Sequence, residues 1–206
     1  MYFDIGANIG AWSLKNSQNA DKIIAVEASP RTFEKLFDNT KNNAKITCIN
    51  YAVCDSKEDF VDFFESNYDT ISSINLDWLT SEKSRFCNVT GFSRIRCKTI
   101  SIDKLIEIYG KPILIKIDVE GGEDKVVSSL TQKVDNLCFE WASETNDVTF
   151  RCLDHLSTLG YTEFAIQMQD DYLYRPQSSC YQNLHSIKEK LKNTIPKQAW
   201  GMIWAK

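Results

Sequence analysis

Apolar residues along this chain fall into two alternating patterns. Short runs rich in β-branched and aromatic residues read as strands, and stretches with apolar positions three and four apart read as helices. Tyr2–Ile5 is a strand, Gly10–Lys15 opens a helix, and Lys22–Glu27 is a second strand. Ser29-Pro30 caps a helix carrying Phe33, Leu36 and Phe37 on one face, and Ile46–Val53 is a third strand. From Asp59 to about Arg96 the rhythm breaks into short β-like runs (FVDFF, TISSI, SRIRCKTI), with Asn75–Asn88 a loop or short helix. Residues 59–98 therefore read as a β-rich insertion. The rhythm then resumes: Ser101 caps a helix, Ile113–Val119 is a strand, Glu123–Leu130 a helix and Leu137–Trp141 a strand. A helix over Val148–Leu159 ends at Gly160, and Tyr161–Ile166, Tyr181–Leu191 and Ala199–Ala205 follow as strand, helix and closing strand. Strand–helix alternation requires crossovers, so the fold class is α/β with a mostly parallel sheet.

Composition narrows the class without changing it. A chain of 206 residues fits one domain over 1–206 with a sizeable core, and 43% hydrophobic against 25% charged residues is ordinary for a globular protein. A net charge of −4 gives no general attraction to phosphate backbones or anionic lipid, so neither nucleic acid nor membrane is the expected partner. No apolar run reaches bilayer length, and MYFDIGANIG lacks the features of a signal peptide. Seven cysteines without CxxC spacing read as reduced core thiols of a cytoplasmic protein, which makes the sequon Asn88-Val89-Thr90 a coincidence.

The first chemistry in the chain is a strand ending in Asp4, the turn Gly6-Ala7-Asn8-Ile9-Gly10, then a helix. Glycines there let backbone approach a ligand. The second strand ends in Glu27, whose carboxylate can accept both hydrogen bonds from a ribose 2′,3′-diol. A dinucleotide site uses GxGxxG against pyrophosphate, but here the spacing is GxxxG and Asp4 stands directly before the turn. That carboxylate would repel pyrophosphate and attract the ammonium of S-adenosylmethionine. The spacing favours S-adenosylmethionine over NAD.

Asp4-Ile5-Gly6-Ala7-Asn8-Ile9-Gly10 looks like motif I of class I methyltransferases, and Lys116-Ile117-Asp118-Val119-Glu120-Gly121-Gly122-Glu123 resembles the KIDVEGxE signature of the FkbM family. Thr99–Asp103 and Leu159-Gly160-Tyr161 fit the same pattern. The resemblance covers Tyr2 to about Ile166 and implies a Rossmann-like, mostly parallel seven-stranded sheet with helices on both faces and an antiparallel last strand. It implies S-adenosylmethionine contacts from Asp4, Gly6, Ala7, Asn8 and Gly10 to methionine, from Glu27 to ribose, and from Ala52 and Val53 to adenine, with Asp118 beside them. Family members usually carry a covering segment before motif I, so a more open pocket is expected here. Residues 167–206 match no signature.

The fourth predicted strand is unusual, because a central parallel strand is normally apolar on both faces. Alternation puts Lys116, Asp118 and Glu120 on one face, near Asp4 and Glu140 of the neighbouring strands. Lys116 among these acids is expected to neutralise buried carboxylates. Asp118, Glu120 and Lys116 are the expected catalytic group, with Asp118 or Glu120 taking the proton of an acceptor hydroxyl. The acids could hold Mg²⁺ or Ca²⁺, but no His-rich or EF-hand spacing accompanies them, so no metal is expected. Tyr68, Ser72, Ser73 and Trp78 of the insertion, with Glu140, are the expected acceptor-binding residues. His155, on an apolar helix face, is expected to be structural. The reading is an S-adenosylmethionine-dependent O-methyltransferase acting on a sugar or other small molecule. Its alternatives are an RNA 2′-O-methyltransferase and a non-catalytic S-adenosylmethionine-binding protein.

Overall fold

The computed structural model describes every residue except 68–71, 83, 194–195 and 197. Its main sheet is built from β1 (Tyr2–Ile5), β2 (Ile23–Glu27), β3 (Ile46–Asn50), β8 (Leu114–Ile117), β9 (Asn136–Ala142), β10 (Phe164–Met168) and β11 (Trp200–Ala205), in the order β10-β11-β9-β8-β1-β2-β3. Strands β3, β2, β1, β8 and β9 run parallel, and β11 lies antiparallel between β9 and β10. The mostly parallel α/β sheet is what the strand–helix rhythm predicts, and its seven strands with an antiparallel last strand are what the resemblance to class I methyltransferases implies. The carboxyl ends of the parallel strands open on one edge, where such sheets bind ligands.

The expected third strand is two strands. Asn50 donates its side-chain amide to the carbonyls of Glu27 and Ala28 at 2.8 and 3.0 Å, which anchors the end of β3. After Tyr51 the chain enters β4 (Ala52–Val53), which pairs with β7 (Ser93–Ile100) in a second sheet. That four-stranded sheet, β4-β7-β5-β6, contains β5 (Phe60–Glu65) and β6 (Ser72–Ser73) and forms most of the insertion. Its inner face packs Phe63 and Cys97 on Ala52, with Ala28 alongside. The short helix α3 (Leu76–Thr80) starts where Asn75 accepts the amide of Trp78.

One face of the main sheet carries the larger core. Phe3, Ile5, Ile115, Ile117, Leu137 and Phe139 meet apolar positions of α4 (Ile102–Tyr109), α5 (Glu123–Val127), α6 (Asn146–Thr158) and α7 (Leu184–Asn193). The other face is covered by α1 (Ala11–Asn16), by α2 (Pro30–Thr40), and by the irregular segment around Tyr172, Tyr174 and Tyr181. In α2 the buried stripe is Thr32, Leu36 and Thr40, while Phe37 is 53% exposed and leaves the face predicted for it. His155 bonds the Leu130 carbonyl at 2.8 Å and ties α6 to the end of the α5 segment, a structural role. No helix among the described residues is long and apolar enough to cross a membrane.

Candidate active site

The turn after β1 is held by backbone. The amides of Gly6 and Ala7 both donate to the Val26 carbonyl, at 3.0 and 2.9 Å. Gly6 has φ +73°, and a Cβ there would lie 1.7 Å from the Asp118 carbonyl oxygen. Gly10, at φ +89°, would meet Leu36 and Thr40 of α2 within 3 Å. Both glycines thus have a chain-packing reason to be glycine, apart from any ligand. Gly6, Ala7 and Asn8 line a cavity of about 460 Å³ at the carboxyl edge of the sheet; Gly10 is not on its wall.

Glu27 sits at the middle of that cavity, 8% exposed. Its two oxygens accept the amides of Asn8 and Ser29, each at 2.9 Å. Burial pushes its carboxyl up to about 7, against the pull of those two amides. The bonds fix the carboxylate and leave lone pairs for further donors. Beside it the Asn8 side-chain oxygen is buried without a hydrogen-bond partner among the described residues. Ala28, Tyr51, Val53 and Phe63 make an apolar wall on one side, as an adenine-sized ring would need; Ala52 lies behind that wall.

On the other side of Glu27 is Lys116, 4% exposed. Its ammonium lies 3.2 Å from Asp118, 3.5 Å from Asp4 and 3.2 Å from the Gly6 carbonyl. Burial disfavours the charge, but Asp118 and Asp4 outweigh it and hold the ammonium above its usual pKa. Asp4 is fully buried, accepts the Ser13 hydroxyl at 2.6 Å, and does not reach the cavity wall. The register pairs Asp4 directly with Lys116 across β1 and β8, and of the two only Lys116 reaches the cavity wall. Glu140 does not complete this cluster, because β9 places Cys138 beside Lys116 and Glu140 two residues further on.

Glu140 instead joins Asp118 and Glu120 at the far end of the same cavity. One oxygen from each lies within 4.8 Å of the others, close enough to hold a cation. Burial pushes Glu120 and Glu140 well above the usual carboxylate range, helped by repulsion from Asp118 and Glu123 on Glu120 and from Glu120 and Asp118 on Glu140. Glu120 does not reach this place by strand alternation, since β8 ends at Ile117 and Glu120 takes φ +57°. Such a backbone costs about 1–3 kcal/mol and persists only where surroundings enforce it. Here Glu123 accepts the amides of Val119 and Gly121, Asn75 donates to the Gly121 carbonyl at 2.8 Å, and Trp78 packs on Gly121. A Cβ on Gly121 would lie 2.3 Å from the Trp78 ring. The insertion therefore braces the turn that carries Glu120.

The family model for the methyltransferase FkbM domain matches residues 4–165, most of the chain. The chain belongs to the FkbM methyltransferase family. Among curated proteins it is similar to hexuronic acid methyltransferase AglP of Haloferax volcanii, 29% identical over 140 residues. That match covers 66% of this chain and 52% of the relative, so this FkbM chain spans about half the relative's length. Among solved structures it resembles Aeropyrum pernix fibrillarin, determined with natively bound S-adenosyl-L-methionine, at TM-score 0.50 and 11% identity. That alignment covers 100% of this chain and 65% of the fibrillarin. A putative RNA methyltransferase from Pyrococcus horikoshii also aligns at TM-score 0.50, with 8% identity over 100% of this chain and 73% of that one. At these identities the two structures speak for the fold alone.

The remaining predicted residues of this FkbM domain divide plainly. Lys116, Asp118, Glu120, Glu140 and Ser72 line the cavity. Ser73 is fully buried behind it, and Trp78, 8% exposed, borders a small adjoining pocket with Arg85 and Phe86 rather than offering a face for stacking. Tyr68 lies outside the described residues. The cavity wall also contains Trp12, Asp170, Tyr172 and Trp200, which the sequence analysis did not assign. Asp170 and Tyr172 belong to the stretch beyond residue 165 where the family pattern stops, so no motif pointed to them. Arg85 makes a bidentate pair with Glu144, at 3.0 and 2.8 Å, next to the Glu120 and Glu140 carboxylates.

Proposed function

We propose that the protein is an S-adenosylmethionine-dependent O-methyltransferase whose acceptor is a hydroxyl of a sugar or another small polyol. The observation that carries this reading is a single cavity with two unlike ends: a backbone-fixed Glu27 beside an apolar wall, and a group of acids at Asp118, Glu120 and Glu140. Glu27 and the orphaned Asn8 oxygen suit a ribose and its neighbouring polar groups, and Val53, Tyr51 and Phe63 suit adenine. When bound, S-adenosylmethionine supplies an electrophilic methyl group on a sulfonium.

The protein's own part is positioning and proton transfer. Lys116 ties the end of β8 to the Gly6 turn, which fixes Asp118 relative to Glu27. Burial and neighbouring acids raise both Glu120 and Glu140 above the usual carboxylate range, so either takes up a proton more readily than an ordinary carboxylate. The ionised acid orients an acceptor hydroxyl and takes its proton as the oxygen attacks methyl. The acidic end opposes the phosphates that flank the reacting oxygen in RNA, which favours a sugar hydroxyl over an RNA 2′-hydroxyl. The hexuronic acid methyltransferase relative supports a sugar acceptor.

The test is a panel of neutral and acidic sugars incubated with protein and S-adenosylmethionine and read by mass spectrometry. Gain of one methyl group on a sugar hydroxyl is expected. Methylation of RNA oligonucleotides alone, with every sugar inert, would contradict the reading. Repeating an active reaction with a chelator separates proton transfer by the acids from a role as ligands to a divalent ion.

A further inference from the structure

The carboxylate before the glycine turn has no access to the cavity, so the amino-acid end of the cofactor needs another anionic partner. Asp4 is fully buried off the cavity wall, and Asp118 is already paired with Lys116 at 3.2 Å. The Lys116 ammonium donates to the Gly6 carbonyl at 3.2 Å and forms ion pairs with Asp118 at 3.2 Å and Asp4 at 3.5 Å. On that side of Glu27 the remaining acid on the wall is Asp170, which accepts no hydrogen bond among the described residues. It lies within electrostatic reach of Lys116, Asp4 and Asp118.

The loop that bears Asp170 is built to stay in place. It leaves β10, which runs parallel to β9, so it emerges at the carboxyl edge of the sheet. The Gln167 side chain, 4% exposed, receives the Trp204 indole at 2.8 Å and donates to the Asp171 carbonyl at 3.1 Å. Asn16 of α1, fully buried, donates to the Tyr172 carbonyl at 3.1 Å. The neighbouring Asp171 spends its own side chain on the Leu173 amide at 3.0 Å, closing a local turn. Asp170 has no such duty. Burial raises its carboxyl to about 6, with Lys116 pulling it back, so it is largely ionised at neutral pH.

We propose that Asp170 binds the ammonium of the cofactor's methionine portion, in place of the motif I carboxylate Asp4. This rests on the S-adenosylmethionine reading above. It makes the segment beyond the family match part of the cofactor site rather than only a cover for the sheet.

The test compares two ligands by calorimetry, S-adenosylhomocysteine and 5′-methylthioadenosine, which shares the adenosine and thioether but lacks the amino acid. Asp170→Asn is expected to weaken S-adenosylhomocysteine roughly tenfold or more and leave 5′-methylthioadenosine unchanged. Asp171→Ala, which opens the local turn, should weaken both ligands together if it acts at all. Equal loss of both ligands in Asp170→Asn would place the residue in loop folding and overturn the proposal, as would unchanged binding of S-adenosylhomocysteine. If the unmodified protein binds neither ligand, the S-adenosylmethionine reading itself falls and this inference with it.

Discussion

The buried Glu27 and the half-buried Glu120–Glu140 pair are acids of one cavity with opposite support. Glu27 receives two backbone amides at 2.9 Å, while no hydrogen bond reaches the carboxylates of Glu120 and Glu140 among the described residues. All three have pKa values raised by burial, but only around Glu120 and Glu140 do neighbouring acids add repulsion. A carboxylate fixed by amides is suited to hold hydroxyls in one geometry. A pair left without donors is suited to exchange a proton. On the proposed function, the cavity separates holding the cofactor from handling the acceptor's proton.

The largest effect should fall on turnover. Glu120→Gln or Glu140→Gln is expected to lower it by about 10²–10⁴-fold while S-adenosylhomocysteine affinity stays within a few fold. Full turnover in both variants with an identified acceptor would leave the pair without a chemical role. Next comes Lys116→Met, which strands Asp4 and Asp118 without their cation and should lower stability by about 3–5 kcal/mol in denaturant unfolding. Adding Asp4→Asn to that variant should restore part of the loss; no loss in the single variant would mean the acids are neutral in the native protein.

Glu27 gives a pH signature. Its native pKa of about 7 lies above the usual 4.5, so its contribution to stability is present below about 4.5 and lost as pH rises through 7. Ribose hydroxyls donate to the ionised form, so S-adenosylhomocysteine should bind more tightly as pH rises through 7, by roughly up to tenfold per unit below it. Affinity flat from pH 5.5 to 8.5 would remove Glu27 from the ribose site. Because Glu27 also anchors Asn8 and Ser29, Glu27→Ala should reduce both affinity and stability, each by about 1–3 kcal/mol. Gly121→Ala should touch stability alone, by about 1–3 kcal/mol, from positive φ and the clash with Trp78. A variant as stable as the parent would show that the Glu120 turn is not braced as described.

The fold was legible because its signals are local: period-two and period-four patterning, the Ser29 and Ser101 caps, and glycine at Gly160. The break after Asn50 was not, since it depends on a side chain bonding carbonyls of another strand. At the site, Glu27 followed from its place at the end of β2, and Lys116 followed from a charge in mid-strand. Glu120 was assigned to the right cluster for the wrong reason, because a left-handed turn and not alternation brings it there. That Asp4 sits buried off the cavity wall was not legible, because sequence shows which face a residue takes and not how deep it lies. Asp170, Tyr172 and Trp200 come from a loop and a strand end whose position is set by long-range contacts to α1 and β9, which no spacing in the chain announces.

The central claim is that this cavity is an S-adenosylmethionine site arranged around Glu27. Calorimetry of the unmodified protein with S-adenosylhomocysteine and with NAD tests it most directly. The account predicts one-site binding of S-adenosylhomocysteine, tightening from pH 6 to pH 8, and no binding of NAD. Tight NAD binding with none of S-adenosylhomocysteine would contradict it.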